Sequence, residues 1–376
     1  MKVALATGLY PPEIGGPATY ALMLESELPG HDIEVLTVPF GWVRHYPKVV
    51  RHVVFAWKLW KESKTADVVY ALDPMSVGLP ALVVAKLRKK PFLVRLGGDY
   101  AWEQGRLRFG VKVTLDEYIK DMTAAPWQVR LFARIQTFVV SRAQIAIVPS
   151  QYLKTIVSQW GVSEDDIKVI YSALYPLEVS GDRSTLRAQL SYTEPTIVSA
   201  ARLVPWKGFQ LLIEVVARLQ KKHPQISLVI IGDGEERPKL EAIVAKYQLS
   251  SCVRFTGRIS KEALGASIKA ADAFVLNTAY EGLSHQLIEV MDLGVPIVTT
   301  KSGGNPELIT DGVNGYLIDF NHPRQLEEAI ERVLNHPESR ERMTQSARGR
   351  SKDFQKHIVV KEIVAVLKNL HAKQAP

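Results

Sequence analysis

Short, nearly continuous apolar runs recur along this 376-residue chain and constrain its fold more than any other feature. In the first half they are VALAT (3–7), IEVLTV (33–38), DVVYAL (67–72), FLVRL (92–96), IAIVPS (145–150) and KVIYS (168–172). Helix-like stretches separate most of them. The stretch PLEVSGDRSTLRAQLSYTE (176–194) is polar and poor in strand signal. The rhythm then restarts with TIVSAAR (196–202), SLVIIGDG (227–234), VRFTG (253–257), DAFVLN (272–277), PIVTT (296–300) and GYLID (315–319). Strands that are apolar throughout need cover on both faces, which parallel sheets flanked by helices provide. Two such sets predict an α/β protein of two Rossmann-like, doubly wound domains, divided near 173–194. Ligands of such sheets bind outside the carboxyl ends of the strands, so a cleft between the domains is the expected site.

Composition narrows the function. A single cysteine, Cys252, excludes a disulfide framework and a Cys-rich zinc site. No apolar run is long enough to span a bilayer. The opening MKVALATG reads as a first strand, not a signal peptide, so a soluble cytoplasmic protein is expected. The net charge of +8 favours anionic partners: nucleotides, nucleic acid or an anionic membrane surface. Nucleic acid is disfavoured, because the chain carries no reader motif and no extended basic tail. A NAD dehydrogenase is also disfavoured. GLYPPEIGG is not G-x-G-x-x-G, and no acidic residue ends the second strand.

The strand-end loops of the second half carry the chemistry. AARLVPWKGF (200–209) places Arg202 and Lys207 five apart across a turn. A guanidinium fork and an ammonium point charge suit a diphosphate; a solvated basic loop is the alternative. Gly232 in IIGDGEE allows a tight turn near a ligand. Gly257, followed by Arg258, would let a flat base lie on the backbone. In EGLSHQLIEVMDLGVPIV (281–298), Ser284 is the expected cap of a helix whose first free N–H groups lie near His285 to Leu287. That helix end attracts phosphate. Glu289, little more than a turn in, can accept hydrogen bonds from a ribose diol. Glu281, before the helix, reaches hydroxyls beyond the phosphates. The segment thus reads as a ruler along a nucleotide-sugar. The alternative for Glu289 is a simple preference for the helix's amino-terminal half.

With these residues in view, the second half resembles the retaining glycosyltransferases of family 4, which have the GT-B fold. The matching stretches are RLVPWKG, GDG, VRFTG and EGLSHQLIEVMDLGVPIVTTKSGGNPELI from 281. In the first half, YPPEIGGPATYALMLESEL (10–28) resembles the family's Gly-Gly loop opening a helix, and AIVPSQYLKTIV (146–157) resembles its last strand and helix. The resemblance implies domains at 1–175 plus about 356–376 and at 176–355, because the carboxyl-terminal helix crosses back. It implies that Arg202 and Lys207 neutralise the leaving diphosphate, Glu289 holds ribose and Glu281 faces the transferred sugar. Gly257, Arg258 and the run Gly282, Leu283, Ser284, His285 belong to the donor site, as does Gly232. Gly15 and Gly16 allow close approach to donor phosphate or acceptor. Many relatives carry a histidine after the fourth strand; RLGGDYAWEQ has none, leaving Asp99 as the polar candidate. The resemblance implies no metal and no cofactor, with a UDP-, GDP- or ADP-sugar as donor substrate. A nucleotide-sugar epimerase or a phosphorylase on the same scaffold is the alternative activity.

The resemblance implies an acceptor that is a sugar, a polysaccharide or a lipid-linked group, on the first domain's side. HYPKVVRHVVFAWKLWKESK (45–64) has an apolar stripe at Tyr46, Val50, Val53, Trp57 and Trp60, interleaved with Lys48, Arg51, Lys58, Lys61 and Lys64. Two readings remain open: a core-packed helix with a wet basic face, or a helix on an anionic membrane at the inner face.

Overall fold

The computed structural model describes residues 1–13, 15–192 and 194–373. Its apolar runs form two six-stranded sheets. The first comprises β1 (Lys2–Thr7), β2 (Glu34–Pro39), β3 (Val68–Ala71), β4 (Phe92–Arg95), β5 (Ile145–Val148) and β6 (Ile167–Val169). They lie in the order β2-β1-β3-β4-β5-β6, and every pairing is parallel. The second comprises β7 (Thr196–Ala200), β8 (Ser227–Ile231), β9 (Val253–Gly257), β10 (Ala273–Leu276), β11 (Ile297–Thr300) and β12 (Tyr316–Ile318), again all parallel, in the order β12-β11-β10-β7-β8-β9. Central strands such as β3, β4, β7 and β10 are buried along their whole length, which is why they read as unbroken apolar runs. The edge strand β6 stops at Val169, where its pairing with Ala146 to Val148 ends.

The helices used below are α1 (Gly16–Glu27), α2 (Lys48–Glu62), α3 (Leu79–Leu87), α4 (Tyr100–Arg108), α5 (Trp127–Val140), α6 (Arg183–Leu190), α7 (His285–Leu293) and α8 (Lys356–Ala372). The chain divides into two units: Met1–Ser172 with the segment from Lys356 onward, and Ala173–Gln355. In the first, β3 and β4 are buried throughout, as are Leu24, Phe55, Leu59 and the α8 residues Val360, Ile363 and Leu367. In the second, Ile197, Leu228, Val275 and Val298 meet Leu212, Ile213, Val216, Leu326 and Ile330.

The structure adds detail to two sequence expectations. The polar stretch 176–194 contains α6, capped by Asp182, whose carboxylate accepts from the Thr185 amide at 2.8 Å. Its Leu186 is buried, and its Arg187 pairs with Asp272 at 2.9 Å. The stripe Tyr46, Val50, Val53, Trp57, Trp60 is not a core face. All five side chains are exposed, and α2 instead buries Phe55 and Leu59.

Candidate active site

The second sheet has its topological switch point between β7 and β10. From β7 the order runs through β8 to β9 on one side; β10 lies on the other. Loops leaving two such strands diverge and open a crevice at their carboxyl ends. The β7 loop carries Arg202 and Lys207, and the β10 loop carries Glu281 and leads into α7.

Backbone hydrogen bonds and buried polar side chains hold these two loops together. Asn277, at the end of β10, is 1 % exposed; its Nδ2 donates to the Gly208 carbonyl at 3.0 Å and to Asn321 Oδ1 at 3.1 Å. The Ala279 amide donates to the Trp206 carbonyl at 2.7 Å, and Thr278 Oγ1 donates to the same carbonyl at 3.3 Å. Gly208 has φ of +54°, and a Cβ there would strike Asn277. Lys207 is thereby fixed against the β10 loop, and its Nζ forms a short ion pair with Glu281 Oε1. The pair is largely enclosed, at 14 % and 15 % side-chain exposure. Arg202 is exposed, with its guanidinium carbon 5.6 Å from the centre of the Trp206 ring. The two cations thus differ: Arg202 is exposed and Lys207 is largely enclosed.

Behind Glu281 lies the Ser-Gly-Gly turn. The Gly304 amide donates to the Glu281 carbonyl at 2.9 Å. Gly303, at φ +60°, sits so close that a Cβ would overlap that carbonyl. Gly282 and Leu283 are buried. Ser284 caps α7, its hydroxyl accepting from the Leu287 amide at 3.4 Å. His285 opens the helix, its ring 6.5 Å from that of Tyr175. Glu289 follows one turn on, partly buried and accepting from Gln286 Nε2 at 3.1 Å. Burial raises its carboxyl to about 7, opposed by the positive charge of Lys261.

Gly232 follows β8 and Gly257 ends β9. The Gly232 amide donates to the Gly257 carbonyl at 2.9 Å, and the space for a Gly232 Cβ is filled by the Ala201 carbonyl. Its N–H is thus engaged and its Cβ direction filled, so Gly232 supports the Arg202 loop while remaining partly exposed. Gly257, at φ +70°, faces the Arg237 guanidinium 3.5 Å from where its Cβ would lie, and Arg258 is exposed beside it.

In the first unit, Gly15 precedes Gly16 at the start of α1, after β1. Asp99 is completely buried and caps α4, with Oδ1 accepting from the Trp102 amide at 2.9 Å. Burial raises its pKa, opposed by hydrogen bonds from Trp102 and Gln136. It holds a helix end and is not presented to solvent. The first sheet's own switch point, between β1 and β3, instead carries Asp73. Its Oδ1 accepts from the Met75 amide at 2.9 Å and from the Ser76 amide, and its Oδ2 fills the space that a Cβ on Gly8 would need. Sequence reasoning passed over Asp73 and Asn277. In both cases the available signal was a polar residue ending an apolar parallel strand. Among the described residues, no group of three His, Cys, Asp or Glu is placed to hold a metal ion.

The comparisons with known proteins agree with this frame. Residues 3–173 match the glycosyl transferase 4-like domain, and residues 182–350 match glycosyl transferases group 1. The chain belongs to the GT-B glycosyltransferases. It is 32 % identical over 166 residues to the alpha-D-kanosaminyltransferase of Streptomyces kanamyceticus, an alignment spanning 44 % of this chain and less than half, 43 %, of that protein. An uncharacterized glycosyltransferase of Methanocaldococcus jannaschii is 26 % identical over 366 residues, covering 89 % of each chain. The solved structure of Anabaena HepE in complex with UDP and glucose superposes with a TM-score of 0.78 at 20 % identity, covering 98 % of this chain and 100 % of that one; at that identity the likeness speaks for the fold.

Proposed function

We propose that this GT-B protein transfers a sugar from a nucleoside-diphosphate sugar to an acceptor hydroxyl, with retention of anomeric configuration and without a metal ion. The observation that carries the reading is the meeting of Lys207, Glu281 and the amino end of α7 at the switch point of the second sheet. Arg202, Lys207 and the α7 amides take the diphosphate charge, which grows as the donor bond breaks. Glu289 accepts from the ribose diol, and Glu281 faces the sugar while holding Lys207 in place. The acceptor oxygen bonds to the anomeric carbon on the face from which the diphosphate departs. The breaking C–O bond leaves its electron pair on the phosphate oxygen, and that oxygen takes the acceptor's proton. UDP and glucose in the HepE complex favour a UDP-sugar over its GDP and ADP counterparts. The acceptor is a saccharide or a lipid-linked hydroxyl, and the exposed Trp and Lys residues of α2 favour the lipid-linked one.

The test is a thermal-shift screen of UDP-, GDP- and ADP-sugars with EDTA present, followed by NMR of the anomeric product. One donor should stabilise the protein by mass action and yield a product with the donor's anomeric configuration. No stabilisation by any donor, or activity restored only by a divalent ion, overturns the reading.

A further inference from the structure

Among the described residues, seventeen large apolar side chains are exposed, and fifteen of them lie in residues 1–172. Most of those belong to three helices. The connections β2 to β3, β3 to β4 and β4 to β5 all step in the same direction across the first sheet. Right-handed crossovers then put α2, α3 and α5 on one face of it. They lie side by side, with α3 packed against both of the others. Each helix turns one apolar stripe to the sheet and a second stripe outward. The outward stripes are Val49, Val53, Trp57 and Trp60 on α2; Leu79, Val83 and Leu87 on α3; and Trp127, Leu131 and Phe138 on α5. Three adjacent helices thus expose these ten large apolar side chains, and large apolar surfaces of soluble proteins rarely go uncovered without a use.

The charge on this face selects the occupant. The three helices contain seven basic residues and one acid, Glu62. Several cations lie directly on the exposed aromatics. Lys61 Nζ is 3.7 Å from the centre of the Trp57 ring. The guanidinium of Arg88, just past α3, lies 3.9 Å over Trp60, and that of Arg142, just past α5, lies 3.7 Å over Phe138. Beside Phe138, an apolar trough of about 460 Å³ is edged by Arg130, Arg134 and Arg142. Aromatic and aliphatic groups interleaved with cations match a bilayer interface, where rings sit at headgroup depth and cations meet lipid phosphate. We infer that α2, α3 and α5 together form a docking face for an anionic lipid bilayer. This deepens the lipid-side part of the proposed function. It concerns lipid binding alone, so the assay needs no turnover, and failure of either reading leaves the other standing.

The test uses the full chain with vesicles of phosphatidylglycerol and, separately, of phosphatidylcholine. Co-sedimentation should show binding to the anionic vesicles only, weakening as salt rises. Tryptophan emission should shift to the blue on binding and be quenched by brominated acyl chains. Lys58→Glu/Lys61→Glu on α2 and Arg130→Glu/Arg134→Glu on α5 should each weaken binding at least tenfold. Lys361→Glu/Lys368→Glu on α8, an equal change of charge at exposed positions outside this face, should change it less than twofold. Circular dichroism and melting confirm that each variant is folded. Binding that responds to the α2 pair and not the α5 pair would reduce the face to one helix and overturn the inference. So would no binding by wild type at low salt, or a stable dimer in sedimentation that buries Trp57 and Trp127 against a second copy.

Discussion

Lys207 and Glu281 neutralise each other where an incoming diphosphate needs positive charge, so the two cations of the site should fail differently. Arg202 is exposed; Arg202→Ala should leave the melting temperature nearly unchanged and lower turnover about a hundredfold, the scale of a lost electrostatic stabiliser. Lys207→Ala also removes the partner of an enclosed carboxylate, and should cost about 1–3 kcal/mol of stability as well as activity. Lys207→Ala/Glu281→Gln should recover most of the stability and none of the activity. A denaturant series on the four proteins checks this, and equal stability losses for Arg202→Ala and Lys207→Ala would contradict it. Glu289 gives a pH signature. Its folded carboxyl sits at about 7 against an ordinary 4.5, so between those values the folded state holds the proton more firmly than the unfolded chain. Its contribution to stability therefore declines as pH rises through that window. A fully buried shift of this size would be worth roughly 3 kcal/mol; partial solvent contact reduces it to about 1 kcal/mol. Glu289→Gln should thus match wild type at pH 4 and exceed it by about 1 kcal/mol at pH 8. The same variant should bind nucleoside diphosphate more weakly, and should lose the gain in affinity expected of wild type between pH 6 and 8. Calorimetry at both pH values, taken as the difference between the two proteins, separates this from titration of the phosphate itself.

At the scale of elements, a glycine's neighbours decide what it does. Gly303 and Gly312 share a left-handed backbone, at φ +60° and +72°, but only Gly303 lies against another loop. Gly312→Ala should cost about 1 kcal/mol, the ordinary penalty for that conformation, with activity intact. Gly303→Ala adds an overlap with the Glu281 carbonyl, so it should cost more and displace Glu281, lowering turnover at least tenfold. Paired melting and rate measurements test this; equal behaviour would show that the Ser-Gly-Gly turn does not position Glu281. The same contrast explains what the sequence could tell. The central strands were readable because a parallel strand covered on both faces carries an apolar signal whatever its neighbours. Ser284 and α7 were readable because caps are local. The helix at 183–190 was not, since its cap, Asp182, lies in a stretch whose polar composition masked the periodicity. The capping role of Asp99 was not legible, because a carboxylate ending a strand loop looks alike whether it faces a ligand or caps a buried helix. On α2, periodicity revealed an apolar stripe but not its direction. The helix has two such stripes, and packing of Phe55 and Leu59 settled which one faces inward.

At the scale of the whole molecule, the carboxyl-terminal helix belongs to the first unit although it follows the second in sequence. On α8, Val359, Val360, Ile363, Val364, Leu367 and Leu370 are buried, and Lys356 pairs with Glu27 at 2.7 Å. Each buried aliphatic side chain is worth about 1.5–3 kcal/mol of transfer free energy, an upper estimate. Six of them together rival the entire stability of a typical domain, about 5–15 kcal/mol. Removing residues 356–376 should therefore unfold the first unit and leave the second, whose core of Ile197, Leu228, Val275 and Ile330 contains no α8 residue, folded. Scanning calorimetry checks this directly. The truncated protein should lose one transition and keep another, and that survivor should shift upward with nucleoside diphosphate, since Arg202, Lys207, Glu281 and Glu289 all lie in the second unit. The phosphatidylglycerol binding assigned to α2, α3 and α5 should disappear with the lost transition. A truncated protein that keeps both transitions would show that α8 is dispensable to the first unit. A surviving transition that ignores nucleotide would show that the second unit does not bind it alone.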